Sequence, residues 1–202
     1  MDLEKQKERF KNHIAKFFDY GNIKILDFKA PGTSNYRIRF LFEEDYYRLH
    51  ISGDLGELVA TNYNNMCWNE FEDFINNPEY FEEKIDCCSS PLHEYDYDLA
   101  CKQMSELIEK YEIKERIKDE CAFESEEAFN AEFNKWIGDV LSDFTKTNGI
   151  GWEGYEAGSR FIDDFWEDCK IIGKKPTGVI DRYMLAFKLA KAQVLAQQKA
   201  GE

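Results

Sequence analysis

The sequence predicts an α+β protein, with an antiparallel β-meander of about four strands covered by helices and followed by a helical C-terminal region. Two observations carry this. Residues 36–62 are the one long run with strand chemistry, in which Tyr36, Ile38, Phe40 and Phe42 alternate with Arg37, Arg39 and Leu41. From Asp96 onward, apolar residues recur instead at three- and four-residue intervals. A short sheet with one apolar face is unstable alone, so the helices must cover it.

Taken in order, Asp2 is placed to cap a first helix carrying Phe10, Ile14, Phe17 and Phe18 and ending at Tyr20-Gly21-Asn22. Ile23, Ile25 and Phe28 then form a strand closed by the turn Ala30-Pro31-Gly32-Thr33. Within the meander, Glu43-Glu44-Asp45 is a polar turn, residues 46–52 resume the alternation, and Gly53-Asp54-Leu55-Gly56 reverses the chain into residues 57–62. Trp68, Phe71, Phe74 and Ile75 mark a short helix broken at Asn76-Asn77-Pro78, and Tyr80, Phe81 and Ile85 mark another. Both carry acids on their remaining face, among them Glu70, Asp73 and Glu83.

After a loop over residues 89–95, a helix is expected from about Asp96, with a break, through Ile113 and Ile117 to Cys121. Ser125 caps a long amphipathic helix that includes Phe129, Phe133, Trp136 and Val140 and ends before Asn148-Gly149. Residues 149–155 read as a glycine-rich connector or a protein contact displaying Trp152 and Tyr155, because the glycines lack the spacing and the Lys-Ser/Thr of a phosphate-binding loop. The last helix places Val179, Ile180, Tyr183, Met184, Phe187, Ala190 and Val194 on one stripe, which packs on the core or on a second copy as a homodimer. These elements divide into an α+β domain over residues 1–121 and a helical region over 122–202 packed on it, unless the two are one continuous domain.

Net charge is −14, and its distribution is sharper than its total. Residues 43–169 hold 33 acids against 10 bases, whereas both ends of the chain are basic. Such a surface repels nucleic acid and attracts basic grooves, so no direct nucleic-acid binding is expected. Residues 157–170 read as a helix in which Asp163 with Glu167, and Asp164 with Asp168, are like-charge pairs at i,i+4. Three readings stand for these acids: a solvated face neutralised by Lys170, Lys174 and Lys175, a docking surface on which carboxylates imitate phosphates, and a metal-carboxylate site.

Catalytic chemistry has little local support. The six cysteines are scattered without CxxC spacing and read as reduced thiols, with the adjacent Cys87-Cys88 ending a helix. His50 lies within a strand alternation, and His13 and His93 are expected at the surface. No G-x-S-x-G or H-E-x-x-H occurs, no resident metal or cofactor is called for, and the enzyme alternative reduces to clustered carboxylates working with a divalent metal. Neither a signal peptide nor an apolar run of membrane-spanning length is present, which predicts a soluble cytoplasmic protein.

The order YRLHISGDLGELVATN (residues 47–62), WNEFEDF (68–74), EYFEEKI (79–85) and a D-x-D-x-A segment from Asp96 to Ala100 resembles a group of uncharacterised acidic proteins encoded by phages and prophages of Gram-positive bacteria. The resemblance covers roughly residues 36–110, with Gly53-Asp54-Leu55-Gly56 its most recognisable piece and a weaker echo in the C-terminal helix. It implies a host-cell setting and an inhibitor of host defence, of the anti-CRISPR kind that blocks an RNA-guided nuclease. On that reading the partner contacts are Asp163, Asp164, Glu167, Asp168, Glu70, Asp73, Glu83, Trp152 and Tyr155. A phage assembly protein that oligomerises through the C-terminal helix is the remaining alternative.

Overall fold

The computed structural model describes residues 3–63 and 65–201, so Asp2, the expected cap of the first helix, lies outside the described residues. The chain divides into two compact units, Met1–Leu92 with Gly178–Glu202, and His93–Thr177. The sequence placed its division at residue 121 and assigned the last helix to the second part, whereas here that helix belongs to the first unit.

Among the described residues, the first unit carries a six-stranded antiparallel meander in sequence order: β1 (Ile14–Asp19), β2 (Ile23–Lys29), β3 (Ile38–Glu43), β4 (Arg48–Gly53), β5 (Leu58–Thr61) and β6 (Ile85–Cys88). The expected meander over residues 36–62 is present, and Phe40 pairs with Ile51 and Phe42 with Leu49 across its first hairpin. Gly53 stands at φ +148°, where a Cβ would overlap the Arg37 carbonyl, so the reversal needs glycine there.

Two strands lie where helix was expected. Helix α1 (Leu3–Phe10) stops at Phe10, and Ile14, Phe17 and Phe18 belong to β1. These residues fit helical spacing from Phe10 because β1 has apolar side chains on both faces: Ala15 is buried, whereas Ile14 and Phe18 are exposed. Pairing with β2 decides the conformation, and Gly21 at φ +81° turns the hairpin between them. Ile85 matches the helical spacing from Phe81 in the same way, yet it begins β6, so Cys87 and Cys88 lie exposed on a strand and do not end a helix.

Leu26, Phe28, Ile38, Phe40, Phe42, Leu49 and Ile51 are all at most 1 % exposed on the inner face of the sheet. The long helix α9 (Val179–Gly201) covers them, with the Phe187 ring 5.4 Å from Phe40 and 4.8 Å from Phe71. Each such aromatic side chain contributes about 2–3 kcal/mol by its burial. The entire stripe from Val179 to Val194 is thereby buried within its own chain and presents no free apolar face for the expected homodimer. The short helices α2 (Glu72–Ile75) and α3 (Pro78–Glu82) add Phe74 and Phe81 to this core, and Asn77 caps α3 through Tyr80 N–H.

His13 is buried, correcting its expected surface position: it is wedged between the Phe10 and Phe28 rings with Nε2 3.1 Å from the Tyr36 carbonyl. His50 is the sheet residue the alternation implies, paired with Leu41 on β3 and 3.1 Å from Glu43.

The second unit contains α4 (Tyr97–Lys110), α5 (Ile113–Glu120), α6 (Glu126–Val140), α7 (Trp152–Ser159) and α8 (Phe165–Cys169), with β7 (His93–Tyr95) paired to β8 (Lys174–Pro176). Asp96 caps α4 through Leu99 N–H at 3.0 Å and Ser125 caps α6 through Ala128 N–H at 3.2 Å. Met104, Ile113, Ile117, Trp136, Val140 and Phe165 lie in its own core. Among the described residues no helix is long and apolar enough to cross a membrane.

Candidate acidic binding surface

Acidic charge concentrates in the second unit, where residues 93–177 hold 21 Asp/Glu against 11 Lys/Arg, compared with 19 against 15 in the first. Where these carboxylates stand, and which are already paired, decides what they offer a partner.

Residues 157–170 are not one helix. Helix α7 ends at Ser159, Asp164 adopts a left-handed conformation at φ +54°, and α8 begins only at Phe165. The like-charge pairs inferred at i,i+4 therefore do not form on a common helix. The two breaks have local causes: the Phe165 ring packs where a Cβ of Gly158 would sit, and Asp tolerates the left-handed region better than most residues.

Three of the four acids there have a basic neighbour. Asp163 lies 3.5 Å from Arg116, Glu167 lies 3.4 Å from Lys170, and Asp168 lies 3.5 Å from Lys110. Asp168 also accepts the Tyr111 hydroxyl at 2.8 Å, and that hydroxyl in turn accepts Lys110 Nζ at 2.8 Å. Its side chain is only 14 % exposed, so it ties α8 to the end of α4 as much as it faces solvent. Of the lysines expected to neutralise these acids, Lys170 meets Glu167 and Lys175 bonds Asp96 instead, while Asp168 is met by Lys110 and Asp163 by Arg116.

Trp152 and Tyr155 do not lie in a loop. Both are on α7, whose first turn is fixed by the Asp143 carboxylate accepting the N–H groups of Gly151, Glu153 and Gly154 at 2.9–3.2 Å. Gly154 allows the helix to approach the Val140 carbonyl closely. Trp152 is 66 % exposed, its ring stands 5.3 Å from Tyr155, and Tyr155 meets Trp166 edge-on at 5.8 Å. Trp166, 52 % exposed, completes an aromatic row that sequence reasoning did not single out.

In the first unit, Glu70 is exposed ahead of α2, Asp73 is exposed on α2, and Glu83 caps the end of α3 with Lys84 3.6 Å away. At the strand pair of the second unit, hydrogen bonding to Lys146 holds the Glu94 carboxyl below the usual range, and Lys175 at 2.6 Å does the same to Asp96.

The signal overlooked in the sequence is Glu106, Glu109, Glu112 and Glu115, a glutamate at every third position along α4 and into α5. With Asp119, Glu120, Glu124 and Glu126 they form a run of exposed carboxylates, none of which enters an ion pair among the described residues. Among the described residues no three His, Cys, Asp or Glu side chains are grouped so as to hold a metal ion.

No family model matches the chain, and no curated protein or solved structure does.

Proposed function

We propose that this chain is a phage-type inhibitor of a host defence nuclease, acting as a binding protein whose acidic surface occupies a basic nucleic-acid-binding groove. The observation that carries the reading is the run of exposed, unpaired carboxylates from Glu106 to Glu126. A Lys- or Arg-lined groove attracts carboxylates as it attracts phosphates, each contact being worth about 1 kcal/mol at 4 Å in water and more where water is excluded. Carboxylates already neutralised by their own neighbours contribute less, which ranks the Glu106 to Glu126 run ahead of Asp163, Glu167 and Asp168. The exposed Trp152 and Trp166 rings supply apolar contact area of the kind that anchors interfaces.

The phage resemblance supplies the setting, with an RNA-guided CRISPR nuclease in the host cytoplasm as the first partner to examine. Neither a cofactor nor direct nucleic-acid binding belongs to this mechanism. The test is competition: fluorescent guide RNA is bound to a guide-free nuclease and the chain is titrated in. Displacement of the RNA with parallel loss of DNA cleavage supports the reading; unchanged RNA binding across a panel of such nucleases refutes it.

A further inference from the structure

A cavity of about 600 Å³ opens among α4, α5 and α6. Its floor is Ile108, Phe133 and Ile137, and its rim carries Glu109, Glu112 and Glu115. The geometry follows from the chain: Phe133 and Ile137 are one turn apart on α6, while Glu112, left-handed at φ +50°, joins α4 to α5 and sets the three glutamates around the opening. None of the three carboxylates is in an ion pair among the described residues. Lys114 also lines the cavity, with Nζ 5.3 Å from the Phe133 ring centre, so it covers part of that ring, and three carboxylates against this one lysine leave the cavity net acidic.

We propose that this cavity docks a basic amphipathic segment of a protein partner, which sets one apolar side chain on the Ile108, Phe133 and Ile137 floor while its Lys/Arg side chains reach the three glutamates. Charge complementarity selects the occupant. An acidic or neutral peptide would leave the rim carboxylates unmatched, and nucleic acid would oppose them with phosphates. An inorganic or polyamine cation would satisfy the rim and leave the floor uncovered. The proposal rests on the reading that residues 93–177 engage a basic partner, and it names the kind of segment recognised.

The probe is a fluorescein-labelled peptide with leucines at helical spacing and arginines between them, compared with the same peptide carrying serine for leucine. Fluorescence anisotropy on the full chain is read for wild type, for the rim variant Glu109→Gln/Glu112→Gln/Glu115→Gln, for the floor variant Ile137→Asn, and for a control of equal charge change outside the carboxylate run, Asp139→Asn/Glu153→Gln/Glu156→Gln. Circular dichroism confirms that each is folded. The rim variant is expected to lose about tenfold in affinity for the leucine peptide and the control less than about twofold, and the serine peptide should bind wild type more weakly. Ile137→Asn should weaken the leucine peptide and leave the serine peptide unchanged. Equal losses in the rim and control variants would reduce the effect to bulk charge, and equal binding of the two peptides would reduce it to a polycation site; either overturns the proposal. The assay contains no nuclease, so its failure leaves the inhibitor reading standing, and a chain that binds the peptide here but displaces no guide RNA keeps the groove and loses that reading.

Discussion

The Tyr183 hydroxyl donates to the Gly56 carbonyl at 3.2 Å, joining the last helix to the turn between β4 and β5. Burial pushes the Tyr183 phenol up to about 12, against about 10 for a solvated tyrosine. A proton held more tightly in the folded state stabilises it fully below pH of about 10, and the contribution is lost as pH rises toward 12. Tyr183→Phe should therefore cost about 1 kcal/mol at neutral pH. The gap to wild type should shrink between about pH 10 and 12 in urea unfolding measured across that range. A gap constant to the highest pH would show that the phenol is solvated.

Gln193 acts as a substitute strand. Its side-chain amide accepts Ala15 N–H at 2.9 Å and donates to the His13 carbonyl at 2.9 Å, along the free edge of β1. Open strand edges recruit other chains, and this one borders the exposed Ile14 and Phe18. Gln193→Ala should increase concentration-dependent association in light scattering and cost about 1–2 kcal/mol. An unchanged scattering profile would mean the edge is protected by other means.

Asp96 both caps α4 and bonds Lys175, which depresses its carboxyl. A depressed carboxyl contributes stability above its unfolded value of about 3.9 and loses it as pH falls through the lower folded value. Asp96→Asn should lower the melting temperature at neutral pH and show a smaller further fall on acidification than wild type. Parallel acid profiles for the two proteins would remove Asp96 from the acid response.

Charge reversal of Asp163, Asp164, Glu167 and Asp168 tests more than binding. Asp168 holds Tyr111 and Lys110, so replacing it with Lys should destabilise the chain by about 1–3 kcal/mol, whereas Asp163→Lys alone, at a side chain that is 95 % exposed, should stay within about 1 kcal/mol. Calorimetric melting of the two variants separates them. Equal melting temperatures would make Asp168 a surface charge like its neighbour.

What the sequence made legible follows local chemistry. The meander, the start of a helix at about Asp96, the Ser125 cap, and the apolar stripe of the last helix were all readable from period and capping, whereas the Asp96 cap itself came from the fold. What escaped depends on pairing between distant residues. β6 is joined to β5 across the two short helices, and β7 pairs with β8 though Tyr95 and Lys174 are far apart in the chain. β1 escaped because Ile14 and Phe18, exposed on the outer face, imitate helical spacing. At the surface, the acids between Asp163 and Asp168 drew attention by proximity in sequence, but Asp164 breaks the helix that would have aligned them. The glutamates at 106, 109, 112 and 115 were present as a three-residue period, and only the fold shows them unpaired and sets the last three around an apolar floor.

The most direct measurement is calorimetric titration of the chain into guide-free RNA-guided nucleases at about 0.1 M and about 0.5 M salt, with and without competing RNA. The expected result is binding at the lower salt that weakens by about tenfold or more at the higher, is abolished by RNA, and falls when Glu106, Glu109, Glu112 and Glu115 are reversed to Lys. Absence of binding to every nuclease at low salt, or binding that neither salt nor RNA affects, would contradict an acidic surface that occupies a nucleic-acid groove.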